Sequence, residues 1–404
     1  MEDVGNTVLV TGGSGFLGGW CVAELLRRGH SVRTTVRNPS REAEVRMRVR
    51  SLASAGGESA SADLSANSDE RLTVLAADLL DDAGWGQAVD GCDHVLHVAS
   101  PFPLVQPKDP DELILPAREG TLRVLRAALR AGAQRVVVTS SVAAVGGSAK
   151  ASGRRLDESD WTDLGDPTLT PYARSKTIAE RAAWDLVEEM GETERLAVVN
   201  PGAILGPVFS EERSPSLEVV QRLLSGMPGT PRIGFNLVDV RDVADLQIRA
   251  MSDPKAAGQR LVAVRSFEWM ADVAKVLREQ LGEEAAKVPK RAIPDLLVRA
   301  MGLFDPGVRS VTSQIGRKQE YTSARAEELL GWAPRPIEET IADCARSMLD
   351  SAACHEPNSR RRAEGRRGHG CGHSRPEDPE CRGDWHEKRP VMALVACLAR
   401  SLRA

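Results

Sequence analysis

The chain has 404 residues, 42% of them hydrophobic and 27% charged, with 53 Lys and Arg against 57 Asp and Glu. These proportions exclude a disordered or collagen-like chain, and a net charge of −4 gives no electrostatic reason for a nucleic-acid or membrane-surface partner. Only two tyrosines are present, Tyr172 and Tyr321, so chemistry that needs a phenol must use one of them.

The opening MEDVGNTVLVTGG has no basic stretch followed by an apolar run, so no signal peptide is expected. Short β-branched runs at 7–11, 31–36, 72–77, 94–98, 135–139 and 196–200 predict strands. Their apolar character is mostly continuous, as when helices cover both faces of a parallel sheet. Between them, 16–28, 117–131 and 172–190 have helical length and spacing, and the alternation predicts an α/β fold with a doubly wound parallel sheet. Residues 51–70, rich in Ser, Ala, Gly and Asp, read as a flexible surface insertion.

After Pro201 the pattern loosens into shorter elements, with helices expected at 239–251, 268–281 and 337–349, forming a smaller second lobe on the carboxyl edge of the sheet. From residue 353 the character changes again. The first 352 residues carry a net charge of −8 and the remainder +4. That tail holds Cys354, His355, His369, Cys371, His373, Cys381 and His386, whose spacings fit no paired zinc-ligand pattern, so it reads as a disordered appendage without metal. Its longest apolar run, 391–399, is far short of the roughly 20 residues that cross a bilayer. Cys21, Cys92 and Cys344, scattered singly, suit reduced thiols and a cytoplasmic location.

Directly after the first strand comes TGGSGFLGG, residues 11–19, opening the first helix. Two glycine registers fit: Gly13-x-Gly15-x-x-Gly18, and Gly12-x-x-Gly15-x-x-Gly18 preceded by Thr11. Either lets the chain turn tightly and aim backbone N–H groups at a pyrophosphate on a helix N-terminus. At the end of the second strand, where an NAD-binding chain usually has Asp or Glu, stands Arg37, with Asn38, Ser40 and Arg41 beside it. A guanidinium suits a 2′-phosphate, which favours NADP(H). Asp78 and Leu79 could face the adenine, though Asp78 could equally cap the next helix.

Thr170-Pro171-Tyr172 supplies a capping Thr and a Pro at the first helical position, so Tyr172 opens a helix with Lys176 four residues on and on the same face. A free phenol has a pKa near 10, and bringing it close to neutrality takes roughly 4 kcal/mol of added preference for phenolate. A neighbouring ammonium and an oxidised nicotinamide are charges that can supply this. Ser141, after the strand ending in VVVT, puts a hydroxyl at a strand's carboxyl end, where it could hydrogen-bond a carbonyl.

TGGSGFLGGW, TVRNP, ADLLD, HVASPF, VTSS, YARSK, NPGAILGP and VDVRDVAD occur in the order found in extended short-chain dehydrogenases/reductases, and residues 5–350 resemble the branch of dihydroflavonol 4-reductases and aldehyde reductases. The resemblance implies a Rossmann sheet with a substrate-binding lobe. It assigns 1–200 to an NADP-binding domain, with 236–265 returning to it, and 201–352 mainly to the lobe. It also implies Ser141, Tyr172 and Lys176 as catalytic residues of an NADPH-dependent carbonyl reductase. Tyr172 would give the proton, Lys176 would lower the Tyr172 pKa and hold the nicotinamide ribose, and Ser141 would polarise the carbonyl. Thr11, Gly12, Gly15, Phe16, Leu17, Gly18, Arg37, Asp78, Leu79, Val98, Ala99, Ser100, Lys176, Pro201 and Ala203 would border NADP(H). His97 would pass near the cofactor as an ordinary buried strand residue.

Two family features are missing. Val142 to Gly146 replaces the stretch in which flavonoid reductases carry an Asn, and the Cys-containing motif of cinnamoyl-CoA reductases is lacking around Tyr172. Phe102, Trp161 and Phe209 are the candidate pocket aromatics. The expected partner is a small-molecule carbonyl compound, with no nucleic acid and no membrane, and the expected assembly is a monomer or homodimer. Competing readings are a nucleotide-sugar epimerase or dehydratase with bound NAD, and a non-enzymatic NADP-sensing module.

Overall fold

All six apolar runs of the first 200 residues form strands in the computed structural model, which describes residues 5–54, 70–100, 109–147, 153–209 and 214–355. They are β1 (Thr7–Val10), β2 (Ser31–Val36), β3 (Leu72–Ala76), β4 (His94–His97), β5 (Arg135–Thr139) and β6 (Leu196–Pro201). Four more follow: β7 (Ala203–Leu205), β8 (Gly234–Asp239), β9 (Arg260–Ala263) and β10 (Ser266–Trp269). Seven of the ten form one parallel sheet in the order β3-β2-β1-β4-β5-β6-β9. Strand order reverses between β1 and β4, which opens a crevice at their carboxyl ends, the place where such sheets take ligands.

The strands are continuously apolar because each face meets its own core. Leu9, Val95, Val136 and Val138 point to the side covered by α4 (Asp111–Arg130) and α6 (Pro171–Glu189), against Leu122, Leu125 and Val187. Val8, Val10, Leu96 and Val137 point to the other side, covered by α1 (Phe16–Arg27), α2 (Glu42–Ser54) and the helix Val240–Ser252, against Val22, Leu25, Val49 and Leu246. The remaining short helices of this half are α3 (Trp85–Val89) and α5 (Ala143–Gly146). Helix α4 starts six residues earlier than the expected 117: Pro116, which reads as a helix breaker, lies inside it, and Leu113 and Ile114 before it are already buried.

The smaller sheet, in the order β10-β8-β7, packs with the helices Pro215–Ser225, Met270–Leu281 and Ile337–His355 around Leu217, Val220, Leu223, Leu277 and Ile341. Three further boundaries move. Glu268 lies in β10, and the helix begins at Met270 after Trp269. Helix α2 reaches Ser54, inside the stretch read as an insertion, and residues 55–69 fall outside the described residues. The last helix runs to His355, so Cys354 and His355 end a helix, while the rest of the Cys/His tail also lies outside the described residues. Cys21, Cys92 and Cys344 are buried and form no disulfide with one another, and among the described residues no helix is long and apolar enough to cross a membrane.

Candidate active site

At the carboxyl end of β1 the glycines choose one of the two registers. Gly12 has φ +74°, open to glycine at little cost, and a Cβ there would press on Ala99. A Cβ on Gly18 would sit 2.3 Å from the Gly12 carbonyl oxygen, so this helix can cross the turn only as glycine. Gly15 donates its N–H to that same oxygen at 2.9 Å and is the residue from which α1 starts. The working register is therefore Gly12-x-x-Gly15-x-x-Gly18. Gly13 instead packs against Thr34, where a Cβ would meet the hydroxyl. No side chain caps α1, so the N–H groups of its first turn, Phe16 and Leu17 among them, aim into the crevice with the positive end of the helix dipole. That is a fitting cradle for a dinucleotide pyrophosphate.

Thr11 ties this turn to β4. Its Oγ1 accepts the N–H of Val98 at 3.0 Å and of Ala99 at 2.9 Å, so its own proton goes to His97 Nδ1, 3.0 Å away. His97 is thereby the neutral tautomer with its proton on Nε2. Burial, and secondarily the Lys176 charge, pushes its pKa down to about 3. At the end of β2, Arg37 is exposed. Arg41 beside it pairs with Glu44 and reaches Ser14 Oγ of the glycine turn at 3.2 Å. Asp78 accepts the Leu80 N–H in the turn after β3, while Leu79 packs on Gly120 of α4. Ser100 follows Ala99 at the end of β4, and Pro201 accepts the Val142 N–H, which sets the β6 end and Ala203 beside the Ser141 loop.

The catalytic candidates converge on the β5 end. Thr170 caps α6 by accepting the Ala173 N–H, with Pro171 at the first helical position. The Tyr172 phenol lies beside the Ser141 side chain. Lys176, 8% exposed, donates from Nζ to the Thr139 carbonyl oxygen at 3.1 Å, two residues before Ser141. The electrostatics differ from the expectation. Burial raises the Tyr172 phenol above its ordinary value, and the opposing influence comes from the neighbouring Ser141 side chain rather than from the Lys176 charge. Burial lowers Lys176 to about 8, partly offset by Glu180. The second phenol is committed elsewhere: Tyr321 donates to the Gly146 carbonyl at 2.9 Å, and burial pushes it up to about 12.

Beneath these groups lies a buried polar cluster that sequence reading did not assemble. Glu180 accepts from Ser140 Oγ, from Asn200 Nδ2 at 2.7 Å and from Arg260 Nε at 2.6 Å. Asn200 also donates to the Ser141 carbonyl at 3.2 Å. Arg260 stacks 3.7 Å over the Trp161 ring, with Arg181 at 5.0 Å, so Trp161 belongs to this cluster instead of to a substrate pocket. Phe209 packs against the core beside α1, and Phe102 lies outside the described residues. The one local signal for Glu180 was its place four residues after Lys176.

The profile of the NAD dependent epimerase/dehydratase family matches residues 8–264. The chain belongs to this family. It is 34% identical over 296 residues to a cinnamoyl-CoA reductase of Medicago truncatula, covering 70% of this chain and 85% of the relative. It is 33% identical over 296 residues to a dihydroflavonol 4-reductase of Zea mays, covering 71% and 77%. These relatives place it among extended short-chain dehydrogenases/reductases, in the dihydroflavonol reductase-like branch. Its fold matches that of the yeast methylglyoxal/isovaleraldehyde reductase Gre2, solved with NADPH, at a TM-score of 0.69 and 24% identity over 86% of this chain and 99% of that one.

Proposed function

We propose that the protein is an NADPH-dependent reductase that turns an aldehyde or ketone into an alcohol. The observation that carries this reading is the gathering of Ser141, Tyr172 and Lys176 at the β5 end, with Tyr172 and Lys176 one turn apart on α6 and Lys176 anchored to the Thr139 carbonyl. Reductase relatives and an NADPH-bound structural neighbour support it. In this reading residues 1–200, together with 236–265, hold the cofactor and 201–352 shape the substrate lobe.

When bound, NADPH supplies the hydride. Gly12, Gly15, Phe16, Leu17 and Gly18 hold its pyrophosphate, and Arg37 takes the 2′-phosphate as an unburied cation at the β2 end. Asp78, Leu79, Val98, Ala99, Ser100, Pro201 and Ala203 line the rest of its path. Ser141 Oγ polarises the substrate carbonyl, and Tyr172 Oη passes its proton to the oxygen as charge develops there. A phenol raised by burial keeps that proton until the acceptor arrives. Lys176 steadies the phenolate left behind and, at a value near 8, is still mostly charged at neutral pH.

The epimerase reading asks for tightly held NAD and an acidic residue where Arg37 stands. NADPH and NADH consumption against aldehydes, diketones and a dihydroflavonol separates the two. NADPH oxidation with at least one carbonyl class, faster than with NADH, supports the reductase, while no consumption of either with any carbonyl refutes it.

A further inference from the structure

Glu180 is a charged group at the heart of the fold, with its side chain wholly buried. It stands one helical turn below Lys176 on α6, and its two oxygens are divided between three elements. Oε2 takes Ser140 Oγ at the end of β5 and Asn200 Nδ2 at the end of β6, and Oε1 takes Arg260 Nε from β9. Two of the partners adjoin the candidate catalytic residues. Ser140 precedes Ser141, and Asn200 holds the Ser141 carbonyl and precedes Pro201. Glu180 and Lys176 line one small cavity together with His97, Thr121 and Ser140.

A carboxylate in the interior is costly unless paired, and packing alone could be served by an apolar side chain at lower cost. Resting on the reductase reading, we propose that Glu180 is a positioning residue for the reaction. Held in place by Ser140, Asn200 and Arg260, its carboxylate keeps Lys176 in its charged form.

Among the described residues around Lys176, Glu180 is the anion that can do this. From β4 it faces His97, which is neutral. From α4 it faces Thr121, and from β5 the Thr139 carbonyl and Ser140. Its own helix adds Tyr172 and Glu180. Arg260 faces Glu180 from β9 and is held on its far side by the carbonyls of Glu158 and Asp160 at 2.7 Å, with the Glu158 carboxylate accepting the Val262 N–H. Burial drives the Lys176 amine toward its neutral form, and the Glu180 charge is the influence that opposes it.

Two variants test this. Glu180→Gln removes the anion but leaves Arg260 buried without it. Glu180→Gln combined with Arg260→Gln removes both charges, so no buried charge is stranded if the single variant fails to fold. The readout is the titration of Lys176 in the cofactor-free protein, by NMR with 13Cε-labelled lysine, in a chain that has nine lysines. It is paired with the pH profile of kcat. The expected result is that the Lys176 midpoint falls from about 8 by about one pH unit in whichever variant folds. A parallel drop in kcat of about tenfold is expected at pH 9, with near parity at pH 6. A midpoint unmoved in the folded variant overturns the proposal, as does a kcat loss that is the same at every pH. The lysine titration does not depend on turnover, so failure of the reductase reading, seen as an active Tyr172→Phe enzyme, is told apart from failure of the role given to Glu180.

Discussion

The two ends of the crevice are built on opposite principles. At the nucleotide end, shape does the work: Gly12 turns through positive φ, Gly18 lets α1 cross a carbonyl, and the charges, Arg37 and Arg41, stand at the surface. At the catalytic end, charge does the work: Lys176, Glu180 and Arg260 are all buried, each with a defined partner. Surface cations in water select among ligands that already fit, whereas buried ones gain several-fold in electrostatic strength from the low dielectric around them. The difference teaches where tolerance lies. Substitution of an exposed arginine should retune affinity, while substitution in the buried set should touch the chemistry itself.

The sharpest way to break the contrast is Tyr172→Phe. Loss of the proton donor should lower kcat about 10²- to 10⁴-fold, with NADPH affinity, followed by its fluorescence, unchanged. Full turnover would remove the phenol from the mechanism. Next is Arg37→Ala. Loss of a charge-assisted hydrogen bond to a 2′-phosphate should raise the KM for NADPH by about 10- to 100-fold and leave that for NADH alone. Equal effects on both cofactors would contradict the selectivity given to this position. The smallest effect is expected for Gly18→Ala. The added carbon meets backbone that must shift, so the cost is about 1 to 3 kcal/mol, seen as a lower Tm together with weaker NADPH binding. An unchanged Tm and affinity would mean that the turn relaxes freely and that shape is not its constraint.

Much of this was legible in the chain because the signals are local. Strands buried on both faces read as unbroken apolar runs, and helices between them read by period, so six of the seven strands of the main sheet could be drawn from residues 7 to 200 alone. The same holds for TGGSGFLGG and for Thr170-Pro171-Tyr172, whose caps, turns and spacing act within a few residues. What the sequence does not display is partnership at long range. Glu180 meets Ser140 at a separation of 40 residues and Arg260 at a separation of 80, and nothing in either neighbourhood points to the other. Trp161 misled for the same reason: an aromatic near a catalytic segment looks like a pocket wall until Arg260 is found stacked on it. The early start of α4 was hidden by Pro116 inside the helix, and the late start of the helix at Met270 follows from Glu268 pairing in β10, with Asp272 accepting the Trp269 N–H at the helix entrance.

The central claim is that hydride passes from NADPH to a carbonyl carbon while Tyr172 gives the proton. Its most direct test is a single turnover with NADPH stereospecifically deuterated at C4, supplied in both epimers, with an accepted aldehyde or ketone, and NMR of the alcohol formed. The account predicts that one epimer delivers one deuterium to the carbinol carbon, and that Tyr172→Phe, though it still binds NADPH, delivers none on the same timescale. Deuterium that stays on the nicotinamide in the unsubstituted protein, or that is transferred at full rate without the phenol, would contradict it.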